Sequence, residues 1–364
     1  MSFNEADVQA ALKNLIDPNT KKDFANGKSL KNIVISGNDL SLDILLGYPA
    51  QSVWKELSSL IETHLKSALP GAGKISVNVS SKVVPHAVQQ GVKLVDGVKN
   101  IIAVASGKGG VGKSTTAVNI ALALAAEGAR VGMLDADIYG PSQPTMLGID
   151  GQPETDGANF MKPMTNHGLQ AMSIGFLIGT SDTPMIWRGP MVTQALDQLL
   201  RQTRWDNLDY LIVDLPPGTG DIQLSLAQQV PVTGAVIVTT PQDIALLDAR
   251  KGLKMFEKVG VKIVGIVENM STHICSQCGH EEHIFGSGGG GKMCADYNTE
   301  LLGNLPLDIH IREQTDSGTP TVVADPDGKV AKTYKQIARR IAVKIAEMAQ
   351  NHNAVFPKIV VQNT

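Results

Sequence analysis

The sequence predicts an α/β fold in which a small N-terminal α/β domain precedes a mostly parallel, doubly wound sheet. From residue 100 onward, short apolar runs typical of buried strands alternate with longer segments of helical periodicity. Such alternation builds parallel sheets that are covered by helices on both faces. Residues 1–80 have a different order of elements, α-β-β-α-β, which sets them apart as a separate unit.

The elements of the larger domain, residues 100–350, are assigned from their hydrophobic pattern. Six apolar runs are predicted strands: residues 101–105, 131–134, 210–213, 235–239, 263–267 and 301–305. Helical spacing predicts helices between them, among them residues 114–127, 192–204, 244–259 and 330–349. Ligands of such sheets bind at the carboxyl ends of the strands, and every motif described below follows such an end.

The N-terminal domain carries no visible catalytic constellation, so a docking or adaptor role is expected for it. Its predicted elements are a helix, two strands, a second helix and a last strand, at residues 6–16, 32–35, 40–45, 52–65 and 74–79. Residues 81–99 lack strong periodicity and are interpreted as a linker, and residues 351–364 as a C-terminal tail.

Composition argues against several classes of partner. The 364-residue chain has a net charge of −3, so no attraction to nucleic acid is expected. No stretch is long and apolar enough to span a bilayer, the first residues are unlike a signal peptide, and no membrane partner is expected. Three cysteines cannot form a disulfide framework in so long a chain, which indicates a reducing, cytoplasmic setting.

A glycine-rich loop that ends in a lysine directly follows the first predicted strand. It matches the phosphate-loop pattern G-x-x-x-x-G-K-[ST] through Gly107, Lys108, Gly109, Gly110, Val111, Gly112, Lys113, Ser114 and Thr115. Its glycines let backbone N–H groups surround a phosphate, and the following helix adds the positive end of its dipole. Lys113 is expected to meet the β- and γ-phosphates and Ser114 to ligate Mg²⁺, which predicts a nucleoside triphosphate as ligand.

Lys108 is an additional lysine near the start of this loop. Its early position points away from its own nucleotide, and it would be useful if it reached a partner's phosphates across a dimer interface. The alternative is a solvated surface lysine. The pattern K-G-G-x-G-K-[ST] resembles the deviant phosphate loop of the division-site, plasmid-partition and nitrogenase iron-protein ATPases, in which such a lysine acts in trans.

Acidic residues follow two further strands. Asp135 and Asp137 lie two residues apart, so both can face one pocket, where one would support the metal shell and the other would orient the attacking water. The alternative is that one of them caps the next turn. Asp214 ends an apolar strand in a Walker B arrangement and is expected to hold Mg²⁺. In the Pro-Pro-Gly turn that follows, the N–H of Gly218 is suited to sense a γ-phosphate.

Cys275 and Cys278 form a C-x-x-C pair, which brings two thiolates within reach of one metal or cluster. Two ligands do not close a four-ligand site, and three explanations remain open. Two chains could each give a pair to a bridging [4Fe–4S] cluster, one chain could add His280 or His283 to close a zinc site, or the pair could be a redox dithiol. Cys294, alone near a predicted helix start, is interpreted as a small packing residue.

Six motifs in one order resemble the Mrp/ApbC family of iron–sulfur cluster carrier ATPases, a branch of the MinD/ParA-like superclass. They are the phosphate loop, residues 134–142, 186–191, 214–221 and 267–271, and the cysteine pair, within a match over about residues 97–345. The N-terminal domain is similar, more loosely, to a small domain fused to bacterial members, although that domain's cysteine is missing here.

The resemblance implies a cytoplasmic homodimer that binds ATP and Mg²⁺. It implies that the protein receives a labile [4Fe–4S] cluster, within the cluster-assembly system, at cysteines shared by the two chains, and that it passes the cluster to apo-proteins. It also implies that Asp137 lies beside the attacking water and that Asn269 recognises adenine. Two other functions compete: a nucleotide-dependent positioning ATPase of the MinD/ParA type, and a nucleotide-gated reductase that resembles the nitrogenase iron protein.

Overall fold

The computed structural model describes residues 3–25, 29–157, 160–178, 189–275 and 277–349, apart from the side chain of Asp221. The chain divides into two compact units. One comprises Met1–Val84 with Ala126–Gly128, and the other comprises Pro85–Ala125 with Ala129–Thr364. Within the described residues, no helix combines the length and the apolar character needed to cross a bilayer.

The smaller unit is a three-stranded sheet with helices, as the order α-β-β-α-β predicts. Its elements are α1 (Glu5–Lys13), β1 (Leu30–Ser36), β2 (Asp39–Leu46), α2 (Trp54–Ala68) and β3 (Ile75–Ser81). β1 and β2 form an antiparallel hairpin, and β3 pairs with β2 in parallel. Asn4 caps α1 because its side chain accepts from the N–H groups of Ala6 and Asp7. Apolar side chains of both helices and of β2 are buried together as the core of this unit.

The larger unit alternates strands and helices. Its first half contains β4 (Val98–Ala105), α3 (Lys113–Ala126), β5 (Val131–Asp135), α4 (Gln143–Met146), β6 (Met164–Asn166), β7 (Leu169–Ser173), α5 (Gly175–Ile178), α6 (Gly189–Arg201), β8 (Leu208–Asp214) and α7 (Asp221–Gln229). Its second half contains β9 (Gly234–Thr239), α8 (Asp243–Lys258), β10 (Ile263–Ile274), β11 (Glu281–Glu282), α9 (Gly289–Asp296), β12 (Leu301–Pro306), α10 (Ile309–Asp316), α11 (Thr321–Ala324) and α12 (Lys329–Ala346).

The sheet of this unit is mostly parallel, in the order β12-β10-β9-β4-β8-β5-β7-β6. β6 is antiparallel to β7, and β11 forms a short antiparallel hairpin with the far end of β10. Strands β8 and β9 are buried along their whole length, as expected for strands covered on both faces. The register places Asp135 beside Asp214, so the carboxyl ends of β5 and β8 meet at one edge. The predicted fold class is confirmed.

Several element bounds differ from the predictions. β10 continues to Ile274, seven residues beyond the predicted end at 267, because its polar second half pairs with β12 and β11. Because that half of the strand is polar, no apolar run marks it as a strand in the sequence. The hairpin of β6 and β7 was not predicted, and α6 ends at Arg201, before the predicted end at 204. Between β3 and β4, residues 82–97 form neither a helix nor a strand of the sheets.

Candidate nucleotide and cluster sites

The phosphate loop lies between the buried strand β4 and helix α3, which begins at Lys113. Gly110 and Gly112 have φ values of +82° and +79°, a region in which glycine is favoured. At Gly107, a Cβ would lie 2.1 Å from the backbone carbon of Asp248, so α8 approaches the loop too closely for any larger residue. The sequence motif therefore takes the strand–loop–helix form that phosphate binding needs.

Lys113 and Asp214 form a buried ion pair at the centre of this edge. The Lys113 ammonium donates to Asp214 Oδ1 and lies 3.1 Å from Ser114 Oγ. Lys113 is 6% exposed and Asp214 is fully buried, so each charge depends on the other for compensation. Gln143 Nε2 donates to Asp214 Oδ2 at 2.9 Å. The residues predicted to bind phosphate and metal thus lie in contact with one another.

Asp135 organises the turn that follows β5. Its carboxylate accepts hydrogen bonds from the backbone N–H groups of Asp137, Ser142 and Gln143 and from the Ser173 hydroxyl, at 3.0–3.2 Å. Complete burial, and secondly the nearby charge of Asp214, raise the pKa of Asp135 to about 7. Asp135 is therefore an anchor for the backbone of this turn, whereas the sequence predicts that one of Asp135 and Asp137 supports the metal shell.

Asp137 lies at the wall of a large open cleft. The cleft has a volume of about 800 Å³ and is also lined by Pro216, Pro217 and Gly189. Partial burial raises the pKa of Asp137, and the positive charge of Lys113 acts in the opposite direction. This placement leaves the carboxyl group of Asp137 at the cleft, close enough to Lys113 and Asp214 to respond to their charges.

The loop after β8 contacts the phosphate loop from the other side. The N–H of Gly218, with φ of +103°, donates to the Ser106 carbonyl at 3.1 Å. This N–H would have to leave that carbonyl to meet a γ-phosphate, and a hydrogen bond exchanged in this way is how a switch loop responds to a nucleotide. Lys108 is half-buried next to it, and its backbone carbonyl accepts from the Ser106 hydroxyl.

Asn269 packs directly against the phosphate loop. Its Nδ2 donates to the Val111 carbonyl at 2.9 Å, and a Cβ at Gly112 would lie 2.2 Å from the same atom. Asn269 is buried, and the next residue, Met270, has a φ of +56°. β10 therefore brings an amide to the loop that is predicted to hold the phosphates, although the amide donates to the protein backbone here.

The cysteine pair occupies the turn between β10 and β11. The N–H of Cys275 donates to the His280 carbonyl, and the N–H of Gly279 donates to the Cys275 carbonyl, each at 2.9 Å. Cys278 is exposed and Cys275 is half-exposed. Hydrogen bonds from the backbone of Cys278 and Gln277 hold the pKa of the Cys275 thiol below its usual value. The two thiols are thus accessible at the tip of a hairpin.

The histidines near this hairpin face other groups. His273 Nδ1 lies 3.1 Å from the Leu307 carbonyl, His283 Nδ1 lies 2.9 Å from the Ser271 carbonyl, and His280 is exposed. In the part of the chain that the structure describes, no three Cys, His, Asp or Glu side chains are grouped to hold a metal ion.

Cys294 is separate from this pair. It is buried in α9, and burial, followed by the charges of Glu268 and Glu300, raises the pKa of its thiol to about 11. This environment agrees with the packing role expected from the sequence.

Sequence reasoning missed Gln143 and Ser173. Gln143 bridges Asp214 and the Ser114 carbonyl, and Ser173 anchors Asp135. Neither belongs to a nucleotide-binding pattern, although Pro144, at the start of α4, does mark a helix start near Gln143. Of the motif at 186–191, residues 186–188 lie outside the described residues, and so do the predicted tail and Ser276.

Comparison with known proteins shows the family to which this chain is similar. Residues 97–342 match a family described as NUBPL iron-transfer P-loop NTPase, and residues 5–79 match one described as iron-sulfur cluster assembly protein. The chain is 51% identical, over 339 residues, to the iron-sulfur cluster carrier protein of Escherichia coli K12, covering 93% of this chain and 91% of that protein. It is 51% identical over 255 residues to the iron-sulfur cluster transfer protein NUBPL of Mus musculus, covering 70% and 80%.

A solved structure supports the same conclusion. The nucleotide-binding protein of Archaeoglobus fulgidus, in complex with ADP, is 34% identical with a TM-score of 0.57, over 65% of this chain and 92% of that one. The family match covers residues 97–342, more than half of the chain, and the match to the Escherichia coli protein covers 93% of it. This chain therefore belongs to the Mrp/ApbC family of iron–sulfur cluster carrier P-loop NTPases.

Proposed function

We propose that this chain is an ATP-hydrolysing carrier that holds a [4Fe–4S] cluster between two copies and transfers it to apo-proteins. One observation carries the proposal: strand β10 presents Asn269 to the phosphate loop and ends at Ile274, directly before the half-exposed Cys275 and the turn that carries the exposed Cys278. A single strand thus runs from the phosphate loop to the turn with the thiols that would hold the cargo.

The donor set beside the phosphate loop fits Mg²⁺ and a nucleoside triphosphate. Ser114 Oγ and the Asp214 carboxylate are hard oxygen donors, which Mg²⁺ prefers, and they lie on either side of the Lys113 ammonium. When Mg²⁺–ATP binds, Ser114 and Asp214 would hold the metal and Lys113 would turn to the β- and γ-phosphates. The bound metal would neutralise charge on the phosphates, and these side chains would hold the metal and the phosphates in position.

Three residues are proposed to act on hydrolysis. Asp137, on the cleft wall, orients the attacking water. Lys108 of the partner chain adds positive charge to the γ-phosphate in the transition state. Gly218 exchanges its bond to Ser106 for one to the γ-phosphate, so that hydrolysis releases the loop.

The cluster is proposed to need a second chain. Each chain offers two accessible cysteine thiols, whereas a [4Fe–4S] cluster takes four cysteine ligands. A homodimer that joins two hairpins completes the set. Because each chain contributes half of the ligands, separation of the two chains opens the site, and nucleotide binding gives a means to control that separation.

The cellular compartment is inferred from the free cysteines. Free thiols persist in a reducing compartment, so we place the activity in the cytoplasm. The chain would receive its cluster from an assembly scaffold and deliver it to apo iron–sulfur proteins. The N-terminal unit, which matches a cluster-assembly domain, is proposed as the adaptor for one of these partners.

The decisive experiment is anaerobic reconstitution of the full chain with iron and sulfide. Mössbauer spectra and native mass should show about one four-iron cluster per two chains. Cys275→Ala and Cys278→Ala should each abolish the cluster, and Cys294→Ala, a change at the buried cysteine, should retain it. A fully loaded single chain, or equal loading of all three variants, would contradict the bridging site.

The dependence of cluster transfer on the nucleotide is measured separately, with an apo-protein as the acceptor. Lys113→Ala protein that carries the same cluster load as the wild type should transfer its cluster more slowly in the presence of ATP. Equal rates would show that carriage does not depend on the nucleotide. Liposome co-sedimentation with ATP tests the positioning ATPase, which predicts membrane binding that the carrier does not need.

A further inference from the structure

Gln143 occupies a position that no part of the phosphate-loop or Walker B pattern assigns. It is the first residue of α4 and is 1% exposed. Its Nε2 donates to Asp214 Oδ2 at 2.9 Å and lies 3.3 Å from the Ser114 carbonyl. One side chain thus connects the two residues that are proposed to hold the metal.

The orientation of this amide is determined by its neighbours. Both atoms near Nε2 are acceptors, so exchanging the oxygen and nitrogen of the side chain would bring Oε1 against a carboxylate and a carbonyl. Its backbone N–H donates in turn to Asp135 Oδ2 at 3.0 Å, which fixes the start of α4. Gln143 is therefore held from its backbone and from its amide nitrogen at once.

The other end of the amide is open. Gln143 Oε1 is buried, and among the described residues no donor lies within hydrogen-bond distance of it. A buried acceptor without a partner has a free-energy cost, which a water or another donor at the site removes. A hydrated magnesium ion bound at Asp214 brings such donors, since Mg²⁺ usually retains several of its waters in protein sites.

We propose that Gln143 is a positioning residue for the metal: its Nε2 holds the Asp214 carboxylate in place, and its Oε1 accepts a hydrogen bond from a metal-bound water. When Lys113 leaves Asp214 for the phosphates, Gln143 continues to donate to Oδ2. The carboxylate then keeps its orientation, and Oδ1 is released for the metal shell. This inference rests on the proposed binding of Mg²⁺ and nucleotide.

The test separates metal binding from nucleotide binding. ADP titrations by calorimetry, at a series of Mg²⁺ concentrations and in EDTA, are made on the full-length wild type and on Gln143→Leu. We expect the Mg²⁺ concentration at half-saturation to rise by about tenfold, as for one lost hydrogen bond to a charged group. ADP affinity in EDTA should stay within about twofold, because Gln143 is not assigned to the phosphates. Electron paramagnetic resonance of Mn²⁺ in the ADP complex should show matching weaker retention of the metal.

Two further variants complete the design. Gln170→Leu makes the same change at a glutamine that donates to the Asp206 carbonyl, away from Asp214, and should retain the wild-type Mg²⁺ dependence. Gln143→Met, which also lacks both hydrogen bonds, replaces Gln143→Leu if thermal unfolding shows that the leucine variant does not fold. Unchanged Mg²⁺ dependence in the Gln143 variant, or an equal loss of ADP affinity with and without metal, would overturn the inference. A wild type without metal-dependent nucleotide binding would instead refute the proposed function.

Discussion

Alanine at Gly112 tests how closely the phosphate loop packs against Asn269. Gly112 has a φ of +79°, and its added Cβ would lie 2.2 Å from Asn269 Nδ2. Asn269 is buried and donates to the Val111 carbonyl, so it cannot withdraw without losing that hydrogen bond. Gly112→Ala therefore combines backbone strain with displacement of a buried amide.

Gly110 is a matched control. Its φ of +82° is nearly the same, but no atom lies within 4 Å of its added Cβ. Gly110→Ala should cost only the left-handed strain, about 1–2 kcal/mol in the free energy of unfolding. Gly112→Ala should add about 1–3 kcal/mol, because a hydrogen bond is broken and a buried acceptor is left open.

The assay is urea unfolding of the nucleotide-free full chain, followed by tryptophan fluorescence. A Trp54→Phe background removes the tryptophan of the N-terminal unit, so the remaining signal comes from the larger unit. In an Asn269→Ala background, the cost of Gly112→Ala should fall to that of Gly110→Ala. Equal costs for the two glycine variants, or a cost at Gly112 that ignores the Asn269 side chain, would refute this reasoning.

Three further predictions concern charge. Lys113→Met should lower the free energy of unfolding of the nucleotide-free chain by about 3 kcal/mol, because Asp214 is left buried without its cation. In urea unfolding, adding Asp214→Asn should recover most of this loss. Additive costs of the two substitutions would argue against the ion pair. The pKa of Asp135 is raised from 3.8 to about 7 in the folded chain, so the folded state binds the proton more tightly. The resulting stability is present below about pH 4 and is lost as the pH rises through about 7. The Tm of chelator-treated protein should therefore fall over this range, and it should fall less steeply in Asp135→Asn. An identical slope of Tm against pH in the two proteins would exclude Asp135 as the cause. Because the pKa of Cys275 is lowered and that of Cys294 is raised to about 11, iodoacetamide near neutral pH should modify Cys275 before Cys294 in the folded chain. Peptide masses should show equal rates of modification of the two cysteines in urea. Equal rates in the folded chain would contradict the two environments.

Much of the architecture could be predicted because the signals are local. Apolar runs such as those of β4 and β8 identify buried parallel strands, and the phosphate loop needs a particular order of glycines and a lysine. The second half of β10 could not be predicted in this way. Its residues are polar and become a strand only because β11 and β12 provide hydrogen-bond partners.

The candidate site shows the same division. Lys113, Ser114 and Asp214 were assigned from motifs that are contiguous in the sequence, and the structure places them within contact of one another. The anchoring role of Asp135 could not be read from the chain, because it depends on Ser173, 38 residues away, and on the turn leading to α4. Nor could spacing show that Asn269 packs on Gly112, since only the register of β10 in the sheet brings them together.

The sequence by itself determined the fold class, the phosphate loop and the presence of a cysteine pair, because each is encoded by neighbouring residues. The tertiary structure decided what those residues face: the ion pair of Lys113 with Asp214, the bridge made by Gln143, and the thiols at the end of a strand that also carries Asn269. Burial and hydrogen-bond partners arise from chain segments far apart in sequence, and these set the charge and position of each group. A local pattern names the chemistry available, whereas packing determines which atoms can take part in it.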